Sequence, residues 1–182
     1  PGGEPRLFVQ SNDTEMFANE TRLWQPLGES FGWLAGASFT HNRTRLTREI
    51  GGVMERRAST TGVLNTINEV TVYGEASLRL LDNVIATAGA RYTDSRLGGE
   101  GEDVPLMVAL AGREITAART ETAFLPSASL LAEVMPGTSL YLRYQEGFRP
   151  GGLAIEGEFV RRFHNDHAAT FEFGVLNGRP AA

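Results

Sequence analysis

The sequence predicts an all-β chain: a partial antiparallel transmembrane β-barrel of about seven strands, an open curved sheet when taken alone. Three observations carry this. Apolar and polar residues alternate with period two in segments of about ten residues, the length a tilted strand needs to cross a bilayer. Short turns alternate with long polar stretches, the asymmetry of outer-membrane barrels. One face of the strands is free of charge, while the other interleaves acids and bases.

The elements follow in order. TEMFANETRLW, Thr14 to Trp24, and FGWLAGASFT, Phe31 to Thr40, flank the short turn QPLGES. A polar stretch from His41 to Asn68 reads as a long loop. VTVYGEASLRL, Val70 to Leu80, turns at Leu81-Asp82-Asn83 into VIATAGARYT, Val84 to Thr93. A second long stretch, Asp94 to Arg119, carries GGEGED. TAFLPSASLLAEV, Thr122 to Val134, turns at Met135-Pro136-Gly137 into a strand that starts at Thr138. That strand alternates through LYLRYQ and is expected to break at Gly147, with Pro150, Gly151 and Gly152 beyond. After a third long stretch, Gly147 to His167, comes ATFEFGV, Ala169 to Val175.

Alternation assigns the side chains to two faces. One carries Phe31, Trp33, Ala35, Ala37, Phe39, Val70, Val72, Ala76, Leu78, Ala86, Ala88, Ala90 and Tyr92. It continues through Ala128, Leu130, Ala132, Leu140, Leu142, Tyr144, Phe171 and Phe173. The other carries Glu20, Arg22, Glu75, Arg79, Arg91, Glu133, Arg143 and Glu172, with Ser127 and Ser129. Balanced charges suit a wet lumen and would be costly in a dry core. Glu75, Arg79, Arg91 and Arg143 are therefore expected to face a lumen, and the apolar set to face outer-membrane lipid. Trp24, Phe31, Phe39 and Tyr92 sit near strand ends, where amphipathic rings favour the headgroup region.

Composition narrows the function classes. The chain has 182 residues, 41% of them hydrophobic, with 21 glycines and a net charge of −5. That charge disfavours general nucleic-acid binding. Without cysteine there is no disulfide, thiolate metal site or thiol nucleophile. No apolar run is long enough for a transmembrane helix. There is no GxSxG, HExxH, GxGxxG or P-loop pattern, so neither catalytic residues nor a cofactor is expected. His164 and His167, in HNDH with Asp166, show no third ligand, and no metal site is expected. Arg43, Arg45, Arg48, Arg56 and Arg57 make the stretch after His41 locally basic, which reads as a solvated external loop, with contact to anionic lipopolysaccharide or an anionic ligand as the alternative.

Four blocks resemble the β-barrel of TonB-dependent outer-membrane receptors. YLRYQEGFRPGG resembles a strand running out into a loop, and GEASLRLLDNVIATAGARYT resembles a hairpin of that family. FANETRLWQPLGESFGWLAGASF and ATFEFGV resemble an upstream hairpin and a downstream strand. The resemblance implies that residues 1–182 are a partial β-barrel domain of a larger receptor, with the plug domain and remaining strands outside this chain. Complete transporters of this kind have about 22 strands and a plugged lumen. It further implies a bacterial outer-membrane location and uptake of a scarce small-molecule nutrient such as a ferric siderophore. The TonB energy-transducing complex would act through the plug. Phe148 and Arg149, in GFRPGG, at the strand-to-loop break, are candidate ligand contacts, one apolar and the other a fixed cationic fork, with an interface anchor at the barrel rim as the favoured alternative. A passive porin-like or structural barrel and a soluble β-sandwich binding module are the competing classes.

Overall fold

The computed structural model describes residues 6–52, 58–102, 118–156 and 159–178. Its strands are β1 (Arg6–Gln25), β2 (Phe31–Gly52), β3 (Ala58–Leu81), β4 (Val84–Glu102), β5 (Arg119–Met135), β6 (Thr138–Arg149), β7 (Gly152–Glu156), β8 (Phe159–Phe163) and β9 (Asp166–Asn177). Seven form one antiparallel sheet in the order β1-β2-β3-β4-β5-β6-β9, curled like part of a barrel wall. β7 and β8 form a separate hairpin.

Two expectations need correction. First, where they are described, the long polar stretches are largely strand. β2, expected to stop at Thr40, runs on to Gly52, and β3 begins twelve residues before Val70, at Ala58. At 19 to 24 residues, β1 to β4 are about twice as long as a bilayer crossing requires. Their outer halves hid because the outward face there is largely polar and the opposite face mixes Leu46, Val63, Ile67 and Leu97 with Asn42, Thr44, Asn65 and Ser95, so no clean period-two contrast marks them. Pairing such as Arg43↔Thr66 and Asn65↔Gly99 still satisfies the backbone. Second, Gly147 does not end β6, which stays paired with β9 to Arg149↔Asp166. A glycine weakens a strand but removes no ladder hydrogen bond.

The register joins the apolar positions into continuous rows. One row reads Trp33↔Ala76↔Ala88↔Ala128↔Tyr144↔Phe171, and the next Phe31↔Leu78↔Ala86↔Leu130↔Leu142↔Phe173. The band runs from Val70 to Leu80 on β3, Val84 to Tyr92 on β4 and Phe124 to Val134 on β5. That is eleven, nine and eleven residues, a bilayer crossing per strand. Above it the same face turns polar, with Asp94 and Arg96 on β4 and Arg43 and Arg45 on β2.

Burial is inverted relative to a water-soluble sheet. On the apolar face Phe124 is 64% exposed, Leu142 53% and Phe173 72%. On the opposite face Ala123 and Leu125 are buried, as are Thr71, Thr93 and Ser95. Among the described residues no second sheet covers the apolar face. An apolar patch of this extent has to meet something other than water. The small buried core, Val63, Leu97, Ala123, Leu125 and Leu153, lies on the charged side, where Leu153 of the β7–β8 hairpin packs against the sheet.

Leu142 and Arg143 are neighbours on opposite faces, which gives a direct test. If the apolar face meets lipid, Leu142→Arg in the full-length protein is expected to cost about 2–4 kcal/mol, that of an arginine near a bilayer midplane. Arg143→Gln should cost much less. Urea unfolding in lipid vesicles checks both.

Candidate functional site

The charged face is the candidate site. Its best-defined cluster spans β1 to β4, in the row Arg22↔Gly36↔Tyr73↔Arg91↔Leu125. Arg22 Nη2 donates to Glu20 Oε2 at 2.5 Å, and the Tyr73 hydroxyl donates to Glu20 Oε1. The Arg91 guanidinium lies over the Tyr73 ring, 5.6 Å from its centroid, a cation–π distance. Tyr73 lies flat only because its cross-strand partner is Gly36: a Cβ there would run into the ring. Lower on the wall, Glu75 shares a row with Ser127 and Gln145, and Arg143 pairs in register with Glu172.

Two shallow recesses open on this face. One, of about 420 Å³, is lined by Tyr73, Glu75, Arg91, Leu125, Arg143 and Phe148, among others. The other, of about 500 Å³, is lined by Glu75, Ser129, Tyr141, Arg143 and Glu172, among others. Glu75 and Arg143 line both, so acid and base alternate along them. Such a surface can hold a polar partner of mixed charge or a column of water.

The predicted site residues fall into three groups. Glu75, Arg91 and Arg143 come together around the recesses. Arg79 stands at the short-turn rim. Its Nε donates to the Glu29 carbonyl at 3.0 Å and its Nη1 to the Asp82 carbonyl at 3.2 Å, so it ties two neighbouring turns together. Phe148 and Arg149 are consecutive residues of β6 and point to opposite faces. Phe148 pairs in register with His167 on the apolar side, with their rings tilted at 5.1 Å, but from the β6 edge left unpaired beyond Gln145 it also borders the recess of about 420 Å³, while Arg149 follows Arg143 on the charged side and lines neither recess.

Other expectations also shift. Trp24 pairs with Leu34 and lies on the charged face, not with the outer aromatics Phe39, Tyr92 and Phe124. The basic stretch after His41 is not one patch. Arg43 and Arg45 face outward opposite Glu15 and Asp13, whereas Arg48 turns to the other side and donates to Gln10 at 3.0 Å. Arg56 and Arg57 lie outside the described residues. Among the described residues, no group of three or more His, Asp or Glu gathers around a point that would hold a metal.

The chain's relatives share this wall. The family model described as TonB dependent receptor-like, beta-barrel, matches residues 3–175. This protein belongs to the TonB-dependent receptor β-barrel family. Its fold is similar to that of the ferric yersiniabactin uptake receptor FyuA from Yersinia pestis, with a TM-score of 0.74 at 16% identity, covering 96% of this chain and 28% of FyuA. The ferric citrate transporter FecA in its unliganded form is similar at a TM-score of 0.63 and 15% identity, over 81% of this chain and 22% of FecA. The chain thus spans less than a third of either structure. A search of curated protein sequences gives no match.

The packing of Tyr73 over Gly36 is open to test in the intact receptor. Gly36→Ala should displace the ring and cost about 1–3 kcal/mol, the usual penalty of overpacking. Gly98→Ala, where a Cβ meets only ordinary contacts at 3.8 Å or more, should cost distinctly less. Denaturation midpoints of the two variants check the difference.

Proposed function

We propose that this chain is part of the wall of a bacterial outer-membrane receptor that takes up a scarce nutrient, such as a ferric siderophore, by TonB-dependent energy coupling. The observation that carries the reading is the exposed apolar band, one bilayer crossing tall, backed by a charge-balanced inner face within a chain of this family. The apolar rows face lipid, and Glu75, Arg91 and Arg143 face the lumen. β1 and β9 are the sheet edges here, and the bilayer offers no partners for their backbone groups. The remaining strands and the plug of the receptor would supply those partners. The plug would also relay the TonB energy-transducing complex. FyuA and FecA, whose names refer to ferric yersiniabactin and ferric citrate, support iron chelates as the ligand class.

A soluble sandwich accounts poorly for a single sheet whose large apolar side chains are the exposed ones. A passive barrel shares the wall geometry and differs in its energy requirement. In cells dependent on this receptor, loss of the inner-membrane energising complex should abolish uptake of the ferric chelate while surface binding persists. Uptake that continues without the complex would contradict the reading. Topology gives a second measurement. Cysteines at Asp82 and Glu100, on opposite ends of the β3–β4 pair, should react with membrane-impermeant reagents from opposite sides of the membrane.

A further inference from the structure

The wall is split. β5 pairs with β6 only as far as Ser127↔Gln145. Beyond that point β5 stays with β4 to Leu97↔Arg119, and β6 stays with β9 to Arg149↔Asp166. The upper sheet is therefore two banks, β1 to β5 on one side and β6 with β9 on the other. Pro126, which brings no N–H, is the first β5 residue past the last β5–β6 pair, where a ladder ends at little cost. The recess of about 420 Å³ touches both banks, with Leu125 and Ser127 on one and Gln145, Gly147 and Phe148 on the other.

The β7–β8 hairpin grows out of the second bank and is fastened to the first. Asn65 Nδ2 donates to the Leu153 carbonyl at 3.0 Å, and the Leu153 N–H donates back to Asn65 Oδ1 at 3.0 Å. The side-chain amide thereby imitates one rung of a strand pair. Gly151 N–H donates to Glu121 Oε2 at 3.0 Å, and Arg119 Nη2 donates to the Phe163 carbonyl at 3.0 Å. Arg119 Nε and Glu121 Oε1 lie 2.5 Å apart, an ion pair whose Nε–H is not aligned as a hydrogen bond. Both side chains are largely buried, at 16% and 10% exposure. Gly151 is needed for the approach, because a Cβ would strike the Arg119 guanidinium and the Phe163 carbonyl.

We propose that the β7–β8 hairpin is a strap holding the two banks together across the split, with Asn65 as its latch. Only Asn65, Arg119 and Glu121 hydrogen-bond the strap to the far bank among the described residues, and one buried side chain, Leu153, reinforces them. A unit held by so few contacts opens before the ladders around it. Release lets the β6–β9 bank swing away from β5 and opens the recess towards the outer end of the wall. The inference rests on the chain's place in the wall of a receptor, not on which ligand that receptor carries.

The test uses the intact receptor in lipid vesicles, with spin labels at Thr120→Cys on β5 and Ala169→Cys on β9, both exposed. Pulsed electron paramagnetic resonance should give one narrow distance with Asn65 in place. Asn65→Leu should add a second distance, longer by about one strand spacing, ~5 Å, with heat-modifiable mobility retained. An unchanged distribution in folded Asn65→Leu would overturn the proposal. A disulfide lock, Asn65→Cys with Leu153→Cys, decides the matter independently of how Asn65→Leu folds. For this lock, labels attached to noncanonical amino acids through a bond that reductant does not cleave replace the cysteine labels. The oxidised lock should show the narrow distance, and its reduction should bring the longer one. Identical oxidised and reduced distributions would overturn the proposal.

Discussion

One hydrogen-bond register, carried through six antiparallel pairs, decides which face every side chain of this wall occupies. A slip by one residue in any pair would move a whole strand's apolar set into the charged face. The register shifts among the described residues, at Arg48/Glu49, Arg79/Leu81 and Glu133/Met135, all lie outside the apolar rows or at their lower rim. The turns help to hold it. Arg79 joins the β1–β2 and β3–β4 turns through the Glu29 and Asp82 carbonyls, and Asn83 Nδ2 donates to the Glu133 carbonyl at 2.9 Å, joining the β3–β4 turn to the end of β5. The short-turn end is thus cross-linked by side chains, whereas the opposite end divides between β5 and β6.

The same register gives the two faces different chemistry. The outer rows use Ala, Leu, Val and Phe, with Tyr92, Tyr144, Phe124 and Phe171 towards the upper edge of the band. Tyr144 and Phe171 are cross-strand partners with ring centroids 4.8 Å apart, a tilted pair of the kind that adds to sheet stability. The inner rows place Tyr73 over Gly36, hold Glu20 between Arg22 and Tyr73, and bring Glu75, Arg91 and Arg143 to the recesses. These exposed polar contacts contribute little to stability singly. Their consequence is a charge-balanced surface on the side of the sheet opposite the apolar rows.

Much of this was legible in the sequence wherever the two faces contrast. Val70 to Leu80 and Val84 to Tyr92 could be assigned residue by residue because Val72 and Ala88 alternate with Tyr73, Glu75 and Arg91. Where apolar and polar residues do not alternate cleanly, as in the His41–Gly52 part of β2, strand and polar loop look alike, and only cross-strand pairing separates them. Parity along the strands also fixes the faces of single residues. Trp24 stands two residues from Arg22 and four from Glu20, which already puts it on the charged face. Phe148 and Arg149 had to part company once β6 continued past Gly147. The rim role of Arg79 and the seating of the β7–β8 hairpin depend on contacts 50 and 88 residues apart in the chain, for which no local pattern exists.

The central claim is that the apolar rows meet lipid and the charged rows meet water. The most direct measurement is a spin-label scan along β5 and β6 of the intact receptor in vesicles, comparing collisions with oxygen, which partitions into lipid, and with a water-soluble nickel chelate. The account predicts a period-two alternation in which Ala128, Leu130, Ala132, Leu140 and Leu142 favour oxygen, while Ser127, Ser129, Tyr141 and Arg143 favour the chelate. A flat profile, or one with the two sets exchanged, would contradict it.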